Sequence, residues 1–285
     1  MPAVDLKLHT RRKPRFKLPP GACDAHCHVF GPADKFPYAP ARRYTPDDAP
    51  KVTLAALHNF LGVERVVVVQ ASCHATDNRA MLDAIAAAPD RIRGVCVADD
   101  SFAERDFEIL HAGGVRGVRF NFVRHLGGAP DMDVFWRVLE RVKPLGWHVV
   151  LHVDAVDIEN LSPAIRKLTI PFVIDHMGRV ESARGVEQTP FKALLELVRM
   201  NNCWIKVSGA ERISFPPYSA AVPFARALVE ASRDRCLWGT DFPHPNPTHE
   251  ADEADLVDLI PEFAPDPALQ RKLLVENPAR LYGFG

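Results

Sequence analysis

The chain has 285 residues, of which 47% are hydrophobic and 25% charged, and its formal net charge is −1. This balance is typical of a globular protein with a substantial core. A net charge near zero gives no indication of nucleic-acid or membrane-surface binding, and we expect neither partner. The six cysteines are scattered through apolar runs, which favours buried thiols in a reduced, cytoplasmic protein over a disulfide framework. No stretch reaches the ~18 apolar residues of a membrane span.

The first 20 residues differ from the rest of the chain, being basic and rich in proline. They lack the apolar segment of a secretory signal. We interpret residues 1–20 as an N-terminal arm packed over one end of the fold, with a disordered tail as the alternative. Residues 21–285 show no linker or break in composition, and we predict that they form a single domain.

Eight short apolar runs alternate with amphipathic segments along residues 21–285. The runs begin at Ala22, Glu64, Arg91, Val115, His148, Pro171, Cys203 and Arg235. Such alternation predicts an α/β protein with a parallel sheet covered by helices. Eight repeats in this length predict a closed (β/α)8, TIM-like barrel, followed by extra C-terminal helices. A doubly wound open sheet is the alternative, although no Gly-rich phosphate loop follows the first run.

A Pro-rich, aromatic segment follows the first predicted strand, from Phe30 to Pro50. Long loops without regular structure are uncommon in compact domains unless they serve a function. We therefore predict an ordered loop over the mouth of the barrel, where binding residues concentrate on loops.

Five residues stand where apolar runs stop: His26, His28, His152, His176 and Asp241. Residues i and i+2 of a strand share a face, so His26 and His28 should project together. Barrel enzymes place their active sites at the C-terminal ends of the strands. Neutral imidazoles and a carboxylate are the ligands of a catalytic divalent metal. Each histidine taken alone could equally be a core residue bonded to a carbonyl, but recurrence at four strand ends favours one shared site.

The segments DAHCHVFGP, VVQASCH, GVRFNF, GWHVV, VIDHMGR, WGTDFPHPN and NPARLY keep their order along the chain. Together they resemble the amidohydrolase superfamily, and within it the group of 2-pyrone-4,6-dicarboxylate lactonases and 4-sulfomuconolactone hydrolases. The resemblance runs from about Gly21 to Tyr282. It implies a (β/α)8 barrel that hydrolyses a small anionic lactone from bacterial aromatic breakdown. It also implies that His26, His28 and His176 surround the lactone carbonyl and that Asp241 is the general base.

The same resemblance implies a set of substrate contacts. They fall on Arg119, Arg212, Tyr44, Ser72 and His74. Guanidinium forks bind planar anionic groups through two parallel hydrogen bonds, which suits a dicarboxylate or a sulfonate.

Two positions depart from the pyrone lactonases. His125, preceded by Arg124, stands where those enzymes carry a second arginine, and His152 replaces a tyrosine in strand five. We predict that Arg124 and His125 both bind substrate. A strand-five histidine is a metal ligand in metal-dependent members of the superfamily. We therefore predict one divalent ion, with zinc as the first choice, held by His26, His28, His152 and Asp241. His176 is either a further ligand or the group that polarises the carbonyl.

The leading functional prediction is hydrolysis of 4-sulfomuconolactone to maleylacetate and sulfite, because a sulfonate is tetrahedral and suits the changed arginine and histidine set. The alternatives are a 2-pyrone-4,6-dicarboxylate lactonase, a metal-dependent decarboxylase of an aromatic acid, and a non-catalytic binding barrel. We expect a monomer or a small homo-oligomer. Lys206 is either a cation inside the barrel or a strand-end charge, and His244 either lines the mouth or caps a loop. His58 is expected to face solvent.

Overall fold

A computed structural model of the chain describes residues 12–246 and 248–285. Eight parallel strands form one sheet in sequential order. The strands are β1 (Cys23–Cys27), β2 (Arg65–Val69), β3 (Ile92–Cys96), β4 (Val115–Asn121), β5 (His148–His152), β6 (Phe172–Ile174), β7 (Cys203–Lys206) and β8 (Cys236–Leu237). The predicted strands are confirmed, and the open-sheet alternative is wrong because strand order follows chain order throughout.

Backbone hydrogen bonds between β1 and the segment that begins with β8 close the barrel. The Ala25 amide donates to the Trp238 carbonyl at 2.9 Å, and the His28 amide donates to the Phe242 carbonyl at 2.7 Å. Between them, the Asp241 amide donates to the His26 carbonyl at 2.7 Å. This seam places the end of β8 directly beside both histidines of β1.

Helices cover the outside of the barrel, as the alternating pattern predicts. They are α1 (Lys51–Leu61), α2 (Arg79–Ala87), α3 (Glu104–Ala112), α4 (Met132–Val142), α5 (Ile158–Ile165), α6 (Thr189–Val198), α7 (Ala210–Ile213), α8 (Val222–Ala231), α9 (Glu253–Asp258), α10 (Ile260–Phe263), α11 (Pro267–Arg271) and α12 (Asn277–Tyr282). The expected extra C-terminal helices are α9 to α12, with a π-helical turn at Lys272–Glu276. Among the described residues, no helix combines the length and the apolar character that crossing a bilayer requires.

The α4 helix shows how local sequence produces these elements. Asp131 caps its N-terminus, because the Asp131 carboxylate accepts hydrogen bonds from the amides of Asp133 and Val134. Its buried residues recur at helical spacing and form one apolar stripe toward the barrel. They are Phe135, Val138, Leu139 and Val142.

Two apolar layers fill the structure. The larger lies between the barrel and the helices. The smaller fills the barrel and includes Val67, Val150 and Trp204, with Tyr282 and Phe284 packed against it. Because the carbonyl of Gly285 accepts a hydrogen bond from Arg65 at the start of β2, these C-terminal aromatic residues close the N-terminal end of the barrel. All six cysteines lie within the described residues as buried free thiols.

The predicted arm, residues 1–20, is described only in part, since residues 1–11 lie outside the described residues. Residues 12–20 pack on α9. The Asp258 carboxylate accepts hydrogen bonds from the amide of Phe16 at 2.9 Å and from Arg15 Nε at 3.1 Å, and Arg12 Nη2 lies 2.8 Å from it. Leu18 is buried in the outer layer.

The loop after β1 is ordered and tied down at several points. Phe30 and Ala49 form an antiparallel bridge across its base. The Tyr38 hydroxyl donates to Asp48 at 2.7 Å, and the amide of Ala39 donates to the Cys73 carbonyl at 2.8 Å. Tyr44, further along the same loop, reaches the cavity described below.

Candidate active site

A bulge in β1 decides which way its histidines point. Asp24 pairs with Val66 and Cys27 with Val68, so two residues of β1 oppose one residue of β2 between them. Ala25 lies in the barrel's inner layer, whereas Cys27 lies in the outer layer. The extra residue shifts the alternation by one position. His26 and His28 therefore face the C-terminal end of the barrel interior, on the same side as Ala25.

Asp241 is the centre of the site. It follows β8, is completely buried, and has a left-handed backbone conformation with φ of 62°. Its Oδ1 atom lies 3.2 Å from His28 Nε2, 3.6 Å from His26 Nε2 and 3.8 Å from His176 Nε2. The structure thus brings together four of the five residues that the strand-end pattern singles out around one carboxylate oxygen.

Outer contacts orient two of these imidazoles. His28 Nδ1 donates to the Val69 carbonyl at 2.8 Å, which turns its Nε2 toward Asp241 Oδ1. His176 Nδ1 lies 3.0 Å from the Ser208 hydroxyl, which turns its Nε2 toward the same oxygen. An outer hydrogen bond that fixes the ring in this way is the usual arrangement of a metal-ligating histidine.

Several imidazole nitrogens near Asp241 are buried and make no hydrogen bond in the described structure: His26 Nε2 and both ring nitrogens of His152. The His152 ring packs against His176 at a centroid distance of 5.5 Å. The ligand atoms of His26, His176 and Asp241 lie within 4.8 Å of one another. Buried polar atoms without partners are costly, and these donor types fit a divalent transition-metal ion.

A second buried carboxylate, Asp175, lies below the first. Lys206 Nζ lies 3.1 Å from Asp175 Oδ1 and 3.0 Å from His26 Nδ1. Arg119 Nε donates to Asp175 Oδ2 at 3.2 Å. Lys206 is completely buried, so it is a cation inside the barrel, the first of the two alternatives. The sequence analysis did not select Asp175, although a charged residue directly before His176 in an apolar run was a usable signal.

Arg212 neutralises the other side of the Asp241 carboxylate. Its Nε and Nη2 atoms contact Asp241 Oδ2, and its Nη1 and Nη2 atoms donate to the Pro245 carbonyl at 3.2 Å. Burial by itself raises the pKa of Asp241, but Arg212 and the neighbouring imidazoles outweigh burial and lower the pKa well below its ordinary value. Asp241 is therefore ionised at any working pH.

Burial keeps the imidazoles neutral. It lowers the pKa of His26 to about 4, and the charge of Lys206 acts in the same direction. Burial also lowers the pKa of His152 and of His176 well below 6.5. Neutral imidazoles can ligate a metal ion at physiological pH, which protonated ones cannot.

A cavity of about 140 Å³ opens above Asp241. Its lining includes nine residues that the sequence analysis assigned to the site: His28, Tyr44, Ser72, Arg119, His125, His152, His176, Arg212 and Asp241. A larger hollow of about 320 Å³ lies elsewhere, beside α4, and includes Trp136, Lys143 and Lys167. Because the smaller cavity holds the convergent titratable groups, we assign the chemistry to it.

Three predicted residues lie away from the cavity wall. Arg124 is 77% exposed and pairs with Asp157, because the short 3-10 turn after β4 directs it to solvent. His74 is buried behind the loop after β1, where its Nε2 accepts a hydrogen bond from the Gly31 amide at 3.3 Å. His26 lies beneath the cavity, next to Asp241 and Asp175.

The sequence analysis missed five residues that also line the cavity: Leu126, Arg179, Pro245, Asn246 and Thr248. Arg179 brings a third arginine to the wall and forms an ion pair with Asp154 at 2.8 Å. It ends the tight turn His176–Arg179, whose residues His176, Met177 and Arg179 all have positive φ. No strand or helix period predicts the direction of a side chain in such a turn, although the segment VIDHMGR contained the residue.

His244 does not line this cavity but lies beside it, between two glutamates. Its Nδ1 is 3.4 Å from Glu211 Oε1 and its Nε2 is 3.3 Å from Glu253 Oε1. Burial opposes a charge on His244, but the hydrogen bonds to both glutamates outweigh burial and raise its pKa to about 10. His244 is a buried cation in an ion network that continues to Arg212.

Comparison with known proteins agrees with this geometry. The amidohydrolase family model matches residues 23–284. The chain belongs to the amidohydrolase family.

Relatives of known activity are similar over nearly the whole chain. A 2-pyrone-4,6-dicarboxylate hydrolase of Comamonas testosteroni is 48% identical over 95% of this chain and 92% of its own. A 4-sulfomuconolactone hydrolase of Rhizobium radiobacter is 43% identical over 94% of this chain and 92% of its own. The resemblance seen in the sequence is confirmed.

Solved structures share the fold. A structure from Agrobacterium tumefaciens in its apo form has a TM-score of 0.85 at 28% identity and covers 95% of this chain and 99% of its own. A protein of Acinetobacter baumannii, described as a probable 2-pyrone-4,6-dicarboxylic acid hydrolase with citric acid bound, has a TM-score of 0.83 at 30% identity. It covers 93% of this chain and 100% of its own. The (β/α)8 barrel prediction is confirmed.

The buried histidines predict how stability depends on pH in chelator-treated protein. The folded pKa values of His26 (about 4) and His148 (about 3) lie below the ~6.5 of an unfolded histidine. Between the folded and the unfolded pKa, the unfolded chain therefore binds more protons than the folded chain does. The free energy of unfolding thus falls as the pH drops from about 6.5 toward 4. His244 acts oppositely: its contribution is complete below 6.5 and is lost as pH rises toward about 10. We expect a maximum of the melting temperature near pH 6.5.

Thermal unfolding followed by circular dichroism from pH 4 to 9 measures this profile. The variant His244→Gln serves as the internal control, since its melting temperature should decline less steeply between pH 7 and 9 than that of the wild type. Parallel slopes of the two proteins over that range would contradict the assignment of a charged His244.

Proposed function

We propose that this chain hydrolyses a small anionic lactone formed in bacterial aromatic breakdown. The observation that carries the proposal is the buried Asp241 carboxylate, surrounded by three imidazoles on one side and Arg212 on the other. Three arginines, Arg119, Arg179 and Arg212, line the cavity above it. The relatives of 48% and 43% identity are named as hydrolases of such lactones. A protein that only binds a ligand has no need of a buried general base.

Two substrates follow from the relatives. Our first candidate is 4-sulfomuconolactone, opened to maleylacetate with loss of sulfite, because histidines at positions 125 and 152 replace groups expected to hold a planar dicarboxylate. The second candidate is 2-pyrone-4,6-dicarboxylate, favoured by the 48% identity of the Comamonas relative. Both are anions that fit a cavity lined with guanidinium groups.

Asp241 and His176 have separate roles in the proposed ester hydrolysis. Asp241 orients a water molecule and takes its proton as the oxygen attacks the lactone carbonyl. His176, whose Nε2 is directed toward Asp241 Oδ1, stabilises the negative charge that develops on the carbonyl oxygen. The ring C–O bond then breaks, and Asp241 returns its proton to the departing oxygen. In 4-sulfomuconolactone the resulting hydroxyl and the sulfonate share one carbon, so the C–S bond then breaks, the oxygen becomes a ketone, and the hydroxyl proton leaves with the sulfite as hydrogen sulfite.

Arginines make an anionic substrate compatible with a carboxylate base. Arg212 already neutralises Asp241, so a second anion can approach without direct repulsion. Arg119 and Arg179 supply further charge on the wall, and each is itself held in place by an aspartate. We propose that these arginines, with Tyr44, Ser72 and His125, orient the ring so that its carbonyl faces Asp241. Arg124 and His74 lie outside the described wall of the cavity.

The donor set fits a divalent metal, and we propose zinc. His26, His28, His152 and Asp241 Oδ1 would hold it, and the buried ring nitrogens of His152 are without another partner among the described residues. Such an ion would lower the pKa of water, which is useful because Asp241 has a depressed pKa and is a weak base alone. The six buried free thiols are consistent with a reducing compartment, and we propose a cytoplasmic protein.

The base assignment is tested with Asp241→Asn, which keeps the shape of the side chain. We expect kcat to fall at least ~100-fold on the preferred lactone, since general base catalysis contributes about that much or more. Steady-state hydrolysis of 4-sulfomuconolactone and 2-pyrone-4,6-dicarboxylate measures this, with circular dichroism as the folding control. Unchanged kcat in a folded variant would remove Asp241 from the mechanism, and CO2 release without ester hydrolysis would indicate a decarboxylase.

Two arginines provide a matched test of substrate binding. Arg119→Lys keeps the charge beside Asp175 but removes the guanidinium fork, so KM should rise about tenfold with little loss of folding. Arg124→Lys makes the same change at an exposed residue outside the cavity and should leave KM unchanged. Equal effects of the two substitutions on KM would contradict the placement of the anion at Arg119.

Metal content is measured by elemental analysis of the purified protein. We expect about one zinc per chain, lost on dialysis against a chelator together with most of the hydrolysis. His28→Asn should lower the zinc stoichiometry in the same assay. A metal-free protein with full activity would show that the imidazoles act as hydrogen-bond groups and that Asp241 activates water without an ion.

A further inference from the structure

Asp24, on β1, is a further completely buried carboxylate, and it lies outside the cavity. Its Oδ1 accepts hydrogen bonds from the amide of Thr240 at 3.0 Å and from the amide of His26 at 3.1 Å. Its Oδ2 accepts from the Thr240 hydroxyl at 2.5 Å and contacts His58 Nε2 at 3.0 Å. His58 was expected at the surface, which is wrong: the helix α1 turns it inward to this carboxylate.

The partners of Asp24 are the residues on which the active site is built. The His26 amide belongs to the bulge that turns His26 and His28 into the barrel. Thr240 directly precedes Asp241. One buried carboxylate therefore joins the bulge of β1 to the end of β8, and His58 anchors it to α1.

Thr240 continues the connection beyond Asp241. Its hydroxyl oxygen accepts a hydrogen bond from the Phe242 amide at 3.1 Å. Asp241 lies between these two held residues in a left-handed conformation, which residues with a β-carbon rarely adopt without support from their surroundings. The hydrogen bonds on both sides of Asp241 supply that support.

The two strands approach too closely at this point for any side chain on Gly239. A β-carbon there would lie 2.5 Å from the His26 amide nitrogen and 2.9 Å from Asp24 Oδ1. The close approach is what allows Asp24 to reach both Thr240 and His26. The bulge, Gly239 and Asp24 thus form one geometric unit.

Asp24, Cys27 and His58 could also be read as a metal site, because their ligand atoms lie within 4.8 Å of one another. The hydrogen bonds argue against this. Each oxygen of Asp24 already has two partners, and Cys27 Sγ lies against the Val67 carbonyl at 3.6 Å. The ligand atoms of this group already have hydrogen-bond partners, unlike the ring nitrogens of His26 and His152 that lie unpartnered near Asp241.

We propose that Asp24 is a positioning residue that acts through Thr240 and the bulge to hold Asp241 against His26 and His28. We call Asp24, His58 and Thr240 the seam clamp. It touches no substrate, and it deepens the proposed hydrolysis, on which its catalytic consequence rests. Without the Thr240 hydroxyl, Asp24 keeps only the Thr240 amide as its partner from that residue, and the Phe242 amide loses its acceptor. Asp241 then loses part of its support on each side, and its Oδ1 leaves the position between the imidazoles.

A matched pair of substitutions tests the clamp. Thr240→Val has nearly the same shape but removes the hydroxyl, whereas Thr240→Ser retains it. We expect Thr240→Val to lower kcat by about 10–100-fold, as loss of an outer partner of a catalytic group does, with KM changed by about twofold or less. Thr240→Ser should restore most of kcat. A merely structural role would lower the melting temperature of Thr240→Val and leave kcat at 25 °C unchanged, which would overturn the proposal.

Crystal structures of both variants separate this inference from the proposed function. In Thr240→Val we expect the distance between His28 Nε2 and Asp241 Oδ1 to exceed 3.2 Å and Asp241 to leave its left-handed conformation. If the wild type hydrolyses neither lactone, the proposed function fails, and these structures still decide the clamp. An unmoved Asp241 in Thr240→Val would overturn it.

His58→Gln provides a second route if Thr240→Val does not fold. His58 lies on α1 and makes its contact with Asp24 from outside the barrel. We expect kcat of His58→Gln to fall with KM unchanged, and wild-type kcat in the folded variant would overturn the proposal.

Discussion

The complete burial of Asp241 is the constraint on which the rest of the site depends. A carboxylate inside a protein is costly unless charges and hydrogen-bond donors surround it. Here Arg212 occupies one oxygen and three imidazoles surround the other. The same contacts lower the pKa of Asp241, so the residue that we propose as the general base is a weak one. In the proposed reaction, the rate then depends on how water and the carbonyl are placed and polarised, rather than on basicity.

Charge in the barrel interior is organised in two layers. The lower layer holds Asp175 between Lys206 and Arg119, and the upper layer holds Asp241 with Arg212. These two carboxylates and three cations adjoin the buried network of Glu211, Glu253 and the charged His244 beside Arg212. The guanidinium groups that line the cavity attract an anion, and a bound divalent ion would strengthen this attraction. A substrate with two negative charges suits such an interior better than a neutral ester does.

The barrel topology explains why residues so far apart in sequence meet. Parallel strands in sequential order present all their C-terminal ends at one rim. The seam between β1 and β8 then places position 241 beside positions 26 and 28, although more than 200 residues separate them. The turns after β4 and β6 carry part of the cavity wall, including His125 and Arg179.

Much of this architecture followed from local sequence. The eight strands were predictable because buried parallel strands read as short apolar runs. The same runs indicated the site residues, because a charged or polar residue at the end of a buried strand is costly without a partner. These residues are His28, His152, His176 and Asp241. Arg119 could be assigned for the same reason, at the end of a long apolar strand. His125, Tyr44 and Ser72 came from resemblance, and the structure places them on the cavity wall.

The sequence by itself determined the strands, the family and the residues at the strand ends, because these depend on periodicity and on ordered motifs. Only the tertiary structure decided where side chains outside the regular elements point. Arg124 points to solvent and Arg179 points to the cavity. Both lie in turns, which lack the regular side-chain spacing of a strand or a helix. The bulge in β1 lies beside the contact that Asp24 makes with Thr240, 216 positions along the chain. Without the bulge, strict alternation from Cys23 and Ala25 would direct His26 and His28 away from the barrel interior.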